Sequence, residues 1–294
     1  MLQSLPPNRV VRLSNTTCPY CGVVFSDSVV PDKEHVIGRR FVPKGALENV
    51  WNLIVNSCHP CNHEKSQLED DISVITLMSG KGHADASTAE LVASEVARRA
   101  GKSGSRATGR SVATSHAKIA LALPSTGGIS MNLGFNGPPQ MDSNRVFRLA
   151  EFHFRVLFYF ISYNEAERKG GYPGHIRHVG WFMHSDWGNV DARWFMDIQK
   201  DWDLRLNGHF ADGFFKASIK ASPISRVWAM AVEWNNSVRV FALAGDAIAL
   251  DAICSTMPEL NGVWMSVDDG HRVRVTKHIH LSESEDSMFQ AAEY

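Results

Sequence analysis

Residues 58–65 read CHPCNHEK and residues 18–22 read CPYCG, so two CxxC pairs, Cys18/Cys21 and Cys58/Cys61, stand 36 residues apart. Four thiolates in two knuckles complete a tetrahedral Zn²⁺ shell and leave no open position. The pattern therefore predicts a structural zinc. Its task is to pin two chain segments together in a module too small to be held by core burial alone. The fifth cysteine, Cys254, lies in the apolar stretch DAIALDAICSTM and reads as a buried, inert thiol.

The interval between the knuckles is longer than a plain zinc ribbon needs. It carries EHVIGRRFVPKGALENVWNLIVNS, and the second knuckle is followed at once by Asn62, His63 and Lys65. CxxC, then Glu34-His35, then Asn52-Leu53, then CxxCN-x-x-K resembles the zinc-stapled branch of the HNH endonuclease family. The resemblance covers roughly residues 15–75. It implies a ββα-metal fold, hydrolysis of phosphodiester bonds, and a catalytic Mg²⁺ or Mn²⁺ beside the structural Zn²⁺. It also implies roles. His35 is the general base, Asn52 the central residue that fixes the His35 ring, and Glu34 and Asn62 the ligands of the catalytic ion. The interval from Asn52 to Cys58 is one residue longer than the commonest family form, so Asn49 and Asn56 stand as alternatives to Asn52. The family's usual Gly-Gly is Lys44-Gly45-Ala46 here.

The chemistry of these residues agrees with those roles. Phosphodiester cleavage needs a base for water and a cation for the developing oxygen charge. An imidazole serves as base when its other ring nitrogen is held in one tautomer. Glu34 and Asn62 offer oxygens suited to a hard ion and leave room for water and substrate. Lys65, one helical turn past Asn62, is placed to meet a phosphate. His59 and His63 read as surface residues of the knuckle, with a phosphate contact open to His63. The remaining histidines, His153 and His278 among them, show no metal-like spacing.

Outward from this module, the charge is uneven. Residues 1–118 hold 14 Lys/Arg against 11 Asp/Glu, and the remainder 16 against 20. No Asp or Glu occurs between Val96 and Met141, while Arg98, Arg99, Lys102, Arg106 and Arg110 cluster at its start. These five, with Lys65, are the expected nucleic-acid contacts. ELVASEVARRA is expected to be helical, and the Gly/Ser-rich text after it a mobile linker or basic arm.

From Asn144 the text changes again. RVFRLAEFHFRVLFYFISYNEAERK is apolar most of the way round and predicts a buried helix. GHIRHVGWFMH, GFFKASIKAS, RVWAMAVEW and VRVFALAG predict strands, with a hairpin at Asn235-Asn236. DAIALDAICSTM predicts a helix, and GVWMSV and HRVRVTKHIHL a second hairpin about Asp268-Asp269-Gly270. The Trp-rich runs read as core rather than as a base-stacking platform. The tail SESEDSMFQAAEY reads as loose.

The fold class expected is α+β, a small ββα-metal zinc module followed by a larger antiparallel α+β domain. Its divisions are residues 1–79 (nuclease module), 80–143 (basic linker or arm) and 144–294 (a domain for target recognition, sensing or oligomerisation). No apolar run is long enough to cross a bilayer and the N-terminus lacks a secretory h-region, so a cytoplasmic protein is expected. The leading functional expectation is a DNA endonuclease. A fused sensor half is similar, at the level of fold analogy, to bacterial restriction and antiphage effectors. Alternatives are a non-catalytic zinc module that binds nucleic acid, and a nuclease that cuts RNA or nicks one strand. A homodimer would let one site per chain cut both strands.

Overall fold

A computed structural model describes residues 9–48, 50–79, 86–106, 108–123, 131–139, 141–259, 263–266, 272–275 and 277–289. Asn49, one of the alternative central asparagines, lies outside the described residues. The chain is a mixed α+β protein. None of its described helices is long and apolar enough to cross a membrane.

The first sheet has three strands, β1 (Val10–Arg12), β2 (Pro31–His35) and β3 (Asn52–Cys58), in the order β1-β3-β2. β3 runs parallel to β1 and antiparallel to β2. Strand β3 carries no alternating pattern that would mark it in the sequence. NLIVNSC is buried along nearly its whole length and sits between two neighbours. A strand covered on both sides loses the alternation that would mark it in sequence. Helix α1 (His59–Ser79) starts on the residue after β3, so β2, β3 and α1 make a compact strand–strand–helix unit.

The stretch expected to be a mobile linker is folded where it is described. Helix α2 (Ala86–Ala100) packs on α1, and strands β4 (His116–Leu123) and β5 (Met131–Pro139) form a hairpin. The physical reason is a small apolar cluster in which Ala100 and Val112 meet Val74 and Ile75 of α1. It draws the basic segment back onto the module. Backbone hydrogen bonds such as Val112 N to Ser103 O (2.9 Å) close the turn between them.

Helix α3 (Ser143–Ile161) is capped by Asp142, which accepts from Arg145 N (3.0 Å). Its buried residues, from Val146 to Phe160, run almost all the way round the helix. It needs that coat because it lies between two bodies: α1 on one side and the second sheet on the other. That sheet is antiparallel, with order β6-β10-β9-β8-β7, and uses β6 (His175–Met183), β7 (Asp203–Phe210), β8 (Phe215–Ala221), β9 (Val227–Trp234) and β10 (Val238–Gly245). The expected hairpin joins β9 and β10, and Asn235 and Asn236 at its tip adopt φ of 53° and 51°. Asparagine tolerates this left-handed region better than most residues.

One apolar cluster holds Leu53 and Val55 of β3, Phe152 and Tyr159 of α3, and Val232 and Trp234 of β9. The opposite face of the five-stranded sheet carries a second cluster, with α4 (Val190–Ile198), α5 (Ala247–Cys254) and the tail. Helix α4 and strand β7 were not expected, and α5 and the hairpin of β11 (Val263–Ser266) with β12 (Arg272–Val275) were. The tail corrects another expectation. Its Leu281, Met288 and Phe289 are buried, and Asp286 pairs with Arg239, so residues 281–289 form a strap and not a loose end.

Candidate functional site: a cysteine cluster beside a cationic groove

The two knuckles meet. The sulfur atoms of Cys18, Cys21, Cys58 and Cys61 all lie within 4.8 Å of one another. The first knuckle is a tight turn closed by Gly22 N to Cys18 O and Cys18 N to Val23 O, both 2.9 Å. Its Gly22 has φ +81°, which a side chain would strain. The second knuckle is the junction of β3 and α1. Four soft sulfur donors in this arrangement fit Zn²⁺. Hydrogen bonding from Cys61 holds the Cys18 thiol down to about 5 against the opposing effect of burial. Burial pushes the Cys58 thiol up to about 11, and the hydrogen bond to Cys18 pushes Cys61 up as well, so without a metal one thiolate, Cys18, is held by neighbouring thiols. The C-terminal half reaches this centre directly, because Tyr172 Oη donates to Cys18 O (2.9 Å) and Tyr159 Oη shares a hydrogen with Thr17 Oγ1 (2.9 Å).

Beside the knuckles lies a groove of about 860 Å³, lined by the end of β2, the loop after it, one face of α1, the last turn of α2 and the residues that follow it. Its lining includes Glu34, His35 and Asn62 together with Arg98, Arg99, Lys102 and Arg106. Arg110, expected with them, is exposed but does not line the groove. Three further cations do: Lys33, Arg39 and Arg40. Sequence reasoning did not single them out, although a signal exists in the Lys-Glu-His…Arg-Arg run around the proposed base.

The contacts refine several expected roles. Asn52 does not touch the His35 ring. Its side chain accepts from Ile37 N (3.2 Å) and donates to Ile37 O (3.1 Å), which adds a rung beyond the end of β2. It therefore fixes the backbone that follows His35. Asn56, the other described alternative, pairs with Asn15, far from that loop. Lys65 is only 1 % exposed and cannot be displayed to a phosphate as expected. It sits between Glu34 (2.7 Å) and Glu69 (2.6 Å). Burial opposes its charge, but the two carboxylates outweigh burial and raise its pKa above the ordinary lysine value. Burial likewise pushes the Glu69 carboxyl up, against the pull of Lys65. Gly38 packs against this group, because a Cβ there would force the Glu69 carboxyl to shift.

His35 is half-buried at the end of β2. Burial, and then the charges of Arg39, Lys33, Lys65 and Arg12, lower its pKa, so its ring is neutral near pH 7. Asn62, in the first turn of α1, donates to Asp32 Oδ2 (3.4 Å), which also pairs with His59 Nδ1 (2.8 Å). His63 is exposed at the groove, beside Gln67 (2.9 Å). Arg99 is tied down by Glu95 and by the carbonyls of Arg40 and Val42, so it braces the groove wall, while Arg98, Lys102 and Arg106 are exposed at the rim.

This chain matches no protein-family model, no curated protein and no solved structure. Its function is therefore read from geometry. A closed sulfur cluster offers structure and not reactivity. The groove beside it is lined by the His35 imidazole, the carboxylates of Glu34, Glu69 and Asp70, the Asn62 carboxamide and several cations. That set suits an anionic, extended substrate and water as reactant.

Proposed function

We propose that this chain is a metal-dependent endonuclease of the HNH type that hydrolyses phosphodiester bonds in DNA. The observation that supports this best is that Glu34, His35 and Asn62 line one groove together with Arg98, Lys102 and Arg106. The strand–strand–helix unit and its cysteine cluster are the parts such a module would need.

In this reading the cations hold the phosphate backbone, and the neutral His35 ring takes a proton from water as it attacks phosphorus. Asn52 keeps the His35 loop in place through Ile37. A divalent Mg²⁺ or Mn²⁺ would be held by Glu34 and Asn62, and would offset charge on the phosphate oxygens. Lys65 orients the Glu34 carboxylate for that task through their 2.7 Å contact. The half from 144 onward braces the module and would set where or when cutting occurs.

A second reading has its own observation. Glu34 is 7 % exposed and already ion-paired, so its carboxylate is committed unless Lys65 shares it. On that ground the module would bind nucleic acid through the groove without cutting it. Plasmid cleavage with Mg²⁺ or Mn²⁺, with EDTA and His35→Ala as controls, separates the two. The endonuclease reading expects cutting that EDTA stops, with a loss of roughly a hundredfold or more in His35→Ala. Binding with no cutting under any divalent ion would leave the second reading standing.

A further inference from the structure

We propose that Arg39 is a phosphate-responsive cap on His35: its guanidinium donates to His35 Nε2 in the free protein and leaves it when a phosphate enters the groove. This rests on the phosphodiesterase reading above. Arg39 Nη2 lies 3.4 Å from His35 Nε2. A guanidinium has donors and no acceptor, so the Nε2 lone pair must be the acceptor and the ring proton must sit on Nδ1. The contact fixes the tautomer a base needs. It also occupies the lone pair that would take the proton.

The surroundings let the cap move without moving the base. Asn52 clamps the backbone at Ile37, and Gly38 packs on Glu69, so the loop is held immediately before Arg39. The side chain itself is on an exposed residue at the groove. The carboxylates of Glu34 and Glu69 are ion-paired with Lys65 rather than with Arg39. A phosphodiester anion is a better partner for a guanidinium than a neutral ring nitrogen at long range, because charge-assisted and bidentate bonds are stronger. On transfer, Arg39 N–H groups bond a non-bridging oxygen. Water then gives a proton to Nε2 and its oxygen bonds phosphorus. The bond to the leaving oxygen breaks, and that oxygen takes a proton from solvent.

The test uses the full chain and diethyl pyrocarbonate, which acylates a free imidazole lone pair, with His35 followed by peptide mass spectrometry. His35 should react several-fold faster in Arg39→Ala than in the parent, with Arg39→Lys between them. Inorganic phosphate should speed the parent and leave Arg39→Ala unchanged. In cleavage, Arg39→Ala should lose roughly tenfold or more in kcat/KM, with part recovered in Arg39→Lys. Equal acylation rates in parent and Arg39→Ala, or a parent rate that ignores phosphate, overturn the cap. A parent that shows the acylation pattern but cuts no DNA overturns the nuclease reading and leaves the cap in place.

Discussion

Two ion networks buried among the described residues are built differently. Near the groove, Lys65 bridges Glu34 and Glu69, one cation for two carboxylates, at 2.7 and 2.6 Å. Beneath the C-terminal strap, Arg239 binds Glu233 (2.8 Å) and Asp286 (2.5 Å), and Lys216 joins Glu233 (2.6 Å). Arg239 is also covered by the Trp187 ring at 3.6 Å. The second network balances two cations against two carboxylates and is sealed by aromatic rings and the tail. It reads as a clasp. The first carries excess negative charge, and its carboxylates line an open groove. A buried charge surplus beside solvent is costly if structure is its sole purpose.

Three experiments break or sharpen that contrast, beginning with the largest effect. Cys58→Ser should remove the copurifying zinc, of which one per chain is expected. Zinc-module binding energies, about 10–16 kcal/mol, match or exceed the whole stability of a typical domain. Because module and sheet share one apolar cluster, thermal melting followed by circular dichroism should show the entire chain weakened. A C-terminal sheet that melts as in the parent would mean that the two halves are energetically separate.

Next come the networks themselves. Lys65→Met and Arg239→Met should each cost about 3–5 kcal/mol in denaturant unfolding, since each strands buried carboxylates. They should differ in function. Lys65→Met should also abolish cleavage by the folded fraction, whereas Arg239→Met should keep it. They should differ in alkali too. The Lys65 pKa is raised in the folded chain, so its contribution is complete below the ordinary lysine value and fades as pH climbs through the folded value. The parent should therefore lose stability above about pH 10.5, and Lys65→Met should lose less. Equal alkaline losses in both would remove Lys65 from that account.

These outcomes bear on how much of the molecule is legible as text. The cysteine spacing and the all-round apolarity of α3 are local patterns, and both show in the sequence. So does the asparagine pair at the β9–β10 tip. Strand β3 is hidden because central strands carry no alternation. Lys65 is misread because helical spacing says which face a residue shares with Asn62, but not that α1 turns that lysine toward Glu34. The basic segment reads as a mobile arm because its Gly/Ser content is flexible in isolation. Its folding is tertiary in origin, through the burial of Ala100 and Val112 against α1. The cation wall of the groove exists only after that step.

The smallest effect expected concerns that wall. Neutralising Arg98, Lys102 and Arg106 together should flatten the log–log salt dependence of DNA binding by about 0.9 for each phosphate left without its cation, equally on unrelated sequences. Neutralising Arg110, which lies off the groove, should leave the slope unchanged. A slope that moves with Arg110 and not with the other three would place the backbone track elsewhere on the surface.

Helix α3 and the hairpin tip also set an order of events during synthesis. The segment that follows β2 is held from behind by Asn235, whose amide donates to Phe41 O (3.2 Å) and Thr76 Oγ1 (2.8 Å). A ribosome adding about 5–20 residues per second reaches position 235 roughly 10–40 s after finishing the second knuckle. Until then the cysteine cluster can form but the groove beside it lacks this backing. A nascent chain would thus bring its four cysteines together well before the contacts behind the groove could form, and would be fully braced only when most of it had been made.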